Sequence, residues 1–257
     1  MRRTASPTRD PIADHTLPFF PGDAEPTVDP AEHRPKRGWL RRIVGWGLKA
    51  FVAYYVFCLA LLVVYRFVAP PVTGVQLQRR LEATVAGRDY SPVRHHVRLA
   101  AMPEHVGRAV VAAEDGRFWT HRGFDFEEMR SAGERAVGGG RMRGASTLTQ
   151  QLMKNLFGCA CRNPVRKVYD LTLTPAAELI LGKRRILELY LGEVEWGDGI
   201  YGVDAAARHY YDVGAGRLTR SQSAALAALL PNPRRRTPAT TGEYRREILR
   251  RMRYRGW

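Results

Sequence analysis

Cysteine is scarce, with three in 257 residues. Cys58 lies in an apolar run, and Cys159 and Cys161 are one residue apart, too close for a relaxed disulfide loop. No Cys/His set with zinc spacing surrounds that pair, so it reads as structural or incidental thiols, a strained redox bridge being the alternative. Long alternating apolar/polar stretches are missing too, which excludes a β-sandwich or barrel. No internal repeat is apparent, which excludes a solenoid. Acidic residues are in deficit: 25 against 41 lysines and arginines, a formal net charge of +16. That excess attracts polyanions, whether nucleic acid, anionic lipid or a phosphorylated substrate.

What the sequence does have is organised in three parts. Residues 1–38 are rich in Pro, Asp, Thr and Arg without apolar periodicity, and read as a disordered cytoplasmic tail. Residues 39–68 read as a transmembrane anchor. Ala50–Tyr65 carries no charge, and extension back through Ile43, Val44, Trp46 and Leu48 reaches a spanning length, with Lys49 snorkelling to the headgroups. The long preceding tail and the lack of a small-x-small site favour an anchor over a cleaved signal peptide. Arg34, Lys36, Arg37, Arg41 and Arg42 crowd the N-terminal flank, which places the tail in the cytoplasm and the rest outside. Nucleic acid is thereby excluded as a partner.

Residues 69–257 form the third part and read as mostly α. Arg108–Phe118 reads as a helix, Ser146 as the cap of a helix to about Phe157, and Asn163-Pro164 as the start of a long helix towards Glu195. Pro175 is expected to kink or split that helix. Thr219 is placed to cap Arg220–Leu230, and Gly138-Gly139-Gly140 marks a mobile loop. The arginine-rich stretch Tyr244–Arg255 reads equally as a lipid-facing segment or a solvated helix.

Three clusters carry chemistry. Glu114-Asp115-x-x-Phe118-x-x-His121-x-Gly123-x-Asp125 puts two carboxylates at the end of an apolar helix. Burial there would raise the proton affinity of one of them, as a general acid or base requires; a solvated helix end is the plainer reading. Gly144-Ala145-Ser146-Thr147-Leu148-Thr149-Gln150-Gln151-Leu152-Met153-Lys154-Asn155 places Gln150, Gln151, Lys154 and Asn155 on one polar helical face. Amides, an ammonium and hydroxyls suit sugar hydroxyls and phosphate oxygens, although a solvated face has the same pattern. Arg162-x-x-x-Arg166-Lys167-x-x-Asp170 gathers three cations within about two helical turns. As separate surface ion pairs they are worth little; as a group they neutralise a pyrophosphate.

In this order the clusters resemble the motifs of glycosyltransferase family 51, the peptidoglycan transglycosylases, in its monofunctional form. The similarity runs on through Lys183–Leu191, Gly197–Tyr211 and Leu226–Pro233, and covers about residues 70–257. It implies a lysozyme-like, mostly helical fold with a smaller subdomain against the membrane, and no transpeptidase domain. It implies polymerisation of lipid II onto a growing glycan chain by an inverting displacement, with undecaprenyl pyrophosphate leaving, at the bacterial inner membrane. Glu114 falls on the family's general base and Asp170 on the second catalytic carboxylate, usually Glu. Lys154, Arg162 and Arg166, with Lys167 beside them, fall around the donor pyrophosphate. Asp115, Phe118, Ser146, Thr147, Gln150 and Gln151 fall on the cleft lining. No cofactor is implied, although Mg or Mn assists the pyrophosphate in some members. Elongation or division proteins are further expected partners.

Asp170, Gly192 (usually Asn) and Gln222 (commonly Glu) depart from the pattern. They keep open a low-activity scaffold that binds lipid precursor or elongation partners. A lysozyme-like hydrolase is the other alternative, but its sugar leaving group would not need the cationic cluster.

Overall fold

The computed structural model describes residues 37–139, 146–158 and 164–257. The chain divides into two compact units, Met1–Gly47 and Leu48–Trp257. In the first, the described residues are the opening turns of α1 (Arg37–Tyr65), of which Arg41–Tyr65 is long and apolar enough to cross a membrane. The rest of that helix belongs to the second unit, where only one side of it packs. Cys58, Leu62 and Tyr65 are buried, the Tyr54 hydroxyl donates to the Phe157 carbonyl at 2.7 Å, and that of Tyr55 to Thr172 at 3.1 Å. Val52, Val56, Phe57, Val63 and Val64 stay exposed on its other side. An apolar surface of that kind is costly in water and suits lipid.

The order continues with α2 (Gly74–Val85), β1 (Val93–Arg94), α3 (Glu104–Glu114), α4 (Phe126–Val137), α5 (Leu148–Phe157) and α6 (Pro164–Glu193). It ends with β2 (Glu195–Gly197), β3 (Ile200–Tyr201), α7 (Val203–Tyr211), α8 (Arg220–Ala227) and α9 (Gly242–Tyr254). The strands form one small sheet in the order β1-β3-β2, with β1 parallel and β2 antiparallel to β3. The domain is thus mostly helical, as its patterning implies.

Packing is centred on α3. Ala109, Val110, Val111 and Ala112 are buried, and α8 meets them with Ala224, Ala225, Leu226 and Ala227, also buried. Small side chains on both helices let their backbones approach closely. Leu148, Leu152 and Met153 of α5 and Leu187, Tyr190 and Trp196 complete the same core.

Local chemistry departs from the sequence expectations at four places. Helix α3 stops at Glu114, four residues short of Phe118, because Asp115 turns to an extended conformation (φ −153°, ψ 75°). The cap of α5 is Thr147 rather than Ser146; its hydroxyl accepts from the Gln150 amide. Helix α6 runs straight through Pro175 and breaks instead at Gly182, whose φ of 73° is one that glycine adopts without a Cβ penalty. Finally, α9 is not a free surface helix: Ile248 and Met252 are in the core. Gly140, Cys159, Cys161 and Asn163 lie outside the described residues, as does the proposed loop beyond Gly139.

The chain between α1 and α2 is held by two arginines. Arg185 donates to the carbonyls of Tyr65 at 2.8 Å and Val68 at 2.7 Å. Arg94 donates to those of Pro70 and, at 3.0 Å, Pro71, and pairs with Glu193 at 2.6 Å. A guanidinium only donates, so the clamp holds this stretch through its backbone carbonyls.

Candidate active site

The two neighbouring carboxylates separate at the end of α3. Glu114 keeps its helical place and is partly exposed; Asp115 turns inward and is buried. The Gln151 amide nitrogen of α5 donates to Glu114 Oε2 at 3.0 Å, and the amide oxygen accepts from the Tyr190 hydroxyl at 2.8 Å. Tyr190 therefore fixes which way the Gln151 amide points, and Gln151 fixes the carboxylate. Burial pushes the Glu114 carboxyl above the usual glutamate range, with the Gln151 hydrogen bond and the charges of Lys154 and Arg236 pulling it back. A carboxylate under these opposed influences is suited to accept a proton and release it again.

Asp115 does different work. Its oxygens meet His121 Nε2 at 2.9 and 3.0 Å, and Oδ2 accepts the Leu148 amide at 2.9 Å. It thus pins the first turn of α5 to the end of α3, at the helix terminus where an anion is favoured. His121 Nδ1 accepts from the Gly123 amide at 3.1 Å, so a proton on Nε2 satisfies both contacts. Lys183 lies 3.5 Å from the same Nδ1, 4.5 Å from the Phe118 ring centre and 2.9 Å from Glu178, which also accepts from Thr149 at 2.6 Å. Phe118, expected to line the cleft, is fully buried under this network. In this structure Asp115 and Phe118 both make supporting contacts beneath Glu114.

Of the remaining expected residues, Ser146, Gln150 and Lys167 come together. The Lys167 ammonium lies 3.2 Å from Ser146 Oγ and 3.5 Å from Gln150 Oε1. Thr147 is buried and also donates to the Gly123 carbonyl at 2.7 Å, so its hydroxyl is spent on the scaffold. Lys154, partly exposed, acts electrostatically on Glu114. Asp170 is buried on α6, with its Oδ1 in contact range, 3.4 Å, of a Cβ placed on Gly158 at the end of α5; that Cβ would clash with the Lys154 carbonyl at 2.8 Å. Arg162 lies outside the described residues, as does the side chain of Arg166.

Tyr190, Lys183, Glu178 and Arg236 were not singled out from sequence. Tyr190 and Lys183 sit inside the Lys183–Leu191 segment, whose amphipathic pattern reads as ordinary helix. Arg236 follows Pro231-Asn232-Pro233 in a run of three arginines, and only the fold chooses among them.

Two of the three departures, Gln222 and Gly192, have local explanations. Gln222 completes a capping box with Thr219, accepting from the Thr219 amide at 2.8 Å, which a glutamine does as well as a glutamate. At Gly192 a Cβ would lie 2.8 Å from His96 Nδ1, so the imidazole occupies the room a side chain would need.

The transglycosylase family model matches residues 81–254. The biosynthetic peptidoglycan transglycosylase of Chromohalobacter salexigens is 41% identical over 210 residues, covering 81% of this chain and 89% of that protein. That of Ectopseudomonas mendocina is 44% identical over 175 residues, 68% of this chain and 72% of the relative. That of Xanthomonas campestris is 39% identical over 218 residues, 84% and 88%. With its ordered motifs, its helical core and this match over most of its length, the chain belongs to the transglycosylase family.

Proposed function

We propose that this protein polymerises peptidoglycan glycan strands from lipid II. Glu114, unprotonated, takes the proton of the acceptor sugar's 4-hydroxyl. That oxygen attacks the donor's anomeric carbon as the bond to the pyrophosphate breaks. Undecaprenyl pyrophosphate leaves with the bonding electron pair, and the α-linked donor becomes a β-1,4 link in one inverting step. Lys154 and Lys167, with Arg162 and Arg166, would stabilise the leaving diphosphate as its charge grows. The observation that carries the reading is Glu114 itself, a partly exposed carboxylate oriented by Gln151 beside the charge of Lys154.

The cationic side of the cleft favours this over glycan hydrolysis, whose leaving group is an uncharged alcohol. The local accounts of Gln222 and Gly192 remove two of the reasons for an inactive scaffold. Mg or Mn is a proposed assistant at the diphosphate; among the described residues no group of three or more His, Cys, Asp or Glu that could hold a metal ion is present. Helix α1 would anchor the enzyme in the inner membrane with residues 1–38 cytoplasmic and the domain periplasmic, supported by the basic N-terminal flank. Elongation or division proteins are proposed partners.

Incubating the purified full chain with labelled lipid II tests the reaction. Polymer is expected from the native protein; bound but unreacted lipid II would refute the enzymatic reading. Periplasmic reporter fusions after residue 257 test the orientation.

A further inference from the structure

The last four carbonyls of any helix lack partners inside it. In α3 those belong to Val111, Ala112, Ala113 and Glu114, so how they are satisfied decides where Glu114 is held. The Asp115 amide closes on Val111 at 3.0 Å. The next two are met from α9, more than a hundred residues further along the chain. Arg251 Nη1 donates to the Ala112 carbonyl at 3.2 Å, and the Tyr244 hydroxyl to that of Ala113 at 2.9 Å. Both side chains are partly buried, on the same face of α9 as the buried Ile248 and Met252. The Tyr244 ring is itself held, with the Arg236 guanidinium 5.6 Å from its centre and Arg236 donating to the Ala228 carbonyl at 2.9 Å.

We propose that Tyr244 and Arg251 are positioning residues for the reaction, with α9 setting the place of Glu114 by capping the two carbonyls that precede it. The inference rests on Glu114 being the general base. A hydroxyl and a guanidinium are stronger and more directional donors to these carbonyls than water, and the cation also suits the negative end of α3. Small displacements of a catalytic group are costly to turnover while leaving substrate contacts made elsewhere intact. The expected signature is therefore a split between kcat and KM.

The test is steady-state polymerisation of lipid II by the full chain carrying Tyr244→Phe, Arg251→Met or Arg251→Lys, with Arg253→Met, exposed on the same helix, as the control. Tyr244→Phe and Arg251→Met should each lower kcat about ten-fold with KM changed by less than about two-fold. Arg251→Lys should recover to within about three-fold of the native rate. In Tyr244→Phe the acid limb of the pH profile should move to lower pH, because a carboxylate freed towards water loses the burial that raises its proton affinity. Unchanged kcat in both variants overturns the proposal. So does a fall in Tyr244→Phe accompanied by loss of folding, which would assign the contact to stability alone. If the native chain polymerises and Glu114→Gln does not, normal turnover in both Tyr244→Phe and Arg251→Met removes only this proposal. Full turnover in Glu114→Gln removes the general-base reading beneath it.

Discussion

Burial raises three glutamates among the described residues, Glu114, Glu193 and Glu195, and the first two do opposite things. Glu114 ends α3 beside Gln151 of α5; Glu193 ends α6 beside the clamp that holds the chain after α1. Glu193 is fully buried, paired with Arg94 at 2.6 Å, and its Oε2 has no hydrogen-bond partner. Burial pushes its carboxyl up to about 7, against the pull of Arg94. Glu114 is raised by the same cause, but part of it remains reachable and its direct partner is a neutral amide. Desolvation alone therefore does not mark the proposed base. Access does, together with a partner that orients the carboxylate without neutralising it.

The comparison is broken most easily at Glu114. Glu114→Gln keeps the shape and removes the proton acceptor, so turnover should fall by about 10²–10⁴-fold with lipid II binding largely retained. A variant that still polymerises at the native rate would leave the two glutamates indistinguishable. Next in size, Lys154→Met should lower kcat about 10²-fold by withdrawing charge from the leaving group. It should also move the acid limb of the profile to higher pH, since Lys154 is one of the charges that lower the proton affinity of Glu114. A pH profile unchanged in this variant would separate Lys154 from the carboxylate.

Glu193 should show itself in stability rather than rate. Its folded-state value near 7 lies above the ordinary carboxylate value of 4.5, so the folded chain holds a proton that the unfolded chain has lost. Its contribution is fully present below about pH 4.5, declines as pH rises towards 7 and is absent above, at about 1.4 kcal/mol per unit of difference. Melting at about pH 5.5 and about pH 8 should show a stability gap that narrows in Glu193→Gln, with kcat little changed. An equal gap in both proteins would mean that Arg94 keeps Glu193 ionised throughout. The smallest effect belongs to Gln222→Glu, which exchanges one capping-box partner for another. Its stability should change by less than about 0.5 kcal/mol and its activity not at all.

Much of the site was legible in sequence because its residues are local. Glu114 follows an unbroken apolar helix, and Ser146, Gln150, Gln151 and Lys154 occupy one short segment. What could not be read was long-range. Asp115 stands next to Glu114 in the chain, and only the extended backbone at that residue turns it towards Leu148 and His121. Tyr190 and Tyr244 are aromatic residues in amphipathic helices, where core packing is the default expectation, yet one presents its hydroxyl to Gln151 and the other to the Ala113 carbonyl at the Glu114 end of α3. Pro175 misled for a related reason: its missing amide weakens one turn, but a packed helix tolerated it, and the break went to Gly182, where the backbone conformation itself forbids continuation.

The imidazole of His96 beside Gly192 carries a mutational consequence. An asparagine at that place would need room for its amide, and here the ring already fills the space. Installing asparagine alone would force the ring to swing out, whereas pairing it with a smaller residue at position 96 would let both fit. The identities of the two positions are thus coupled in this chain, each setting the room left for the other.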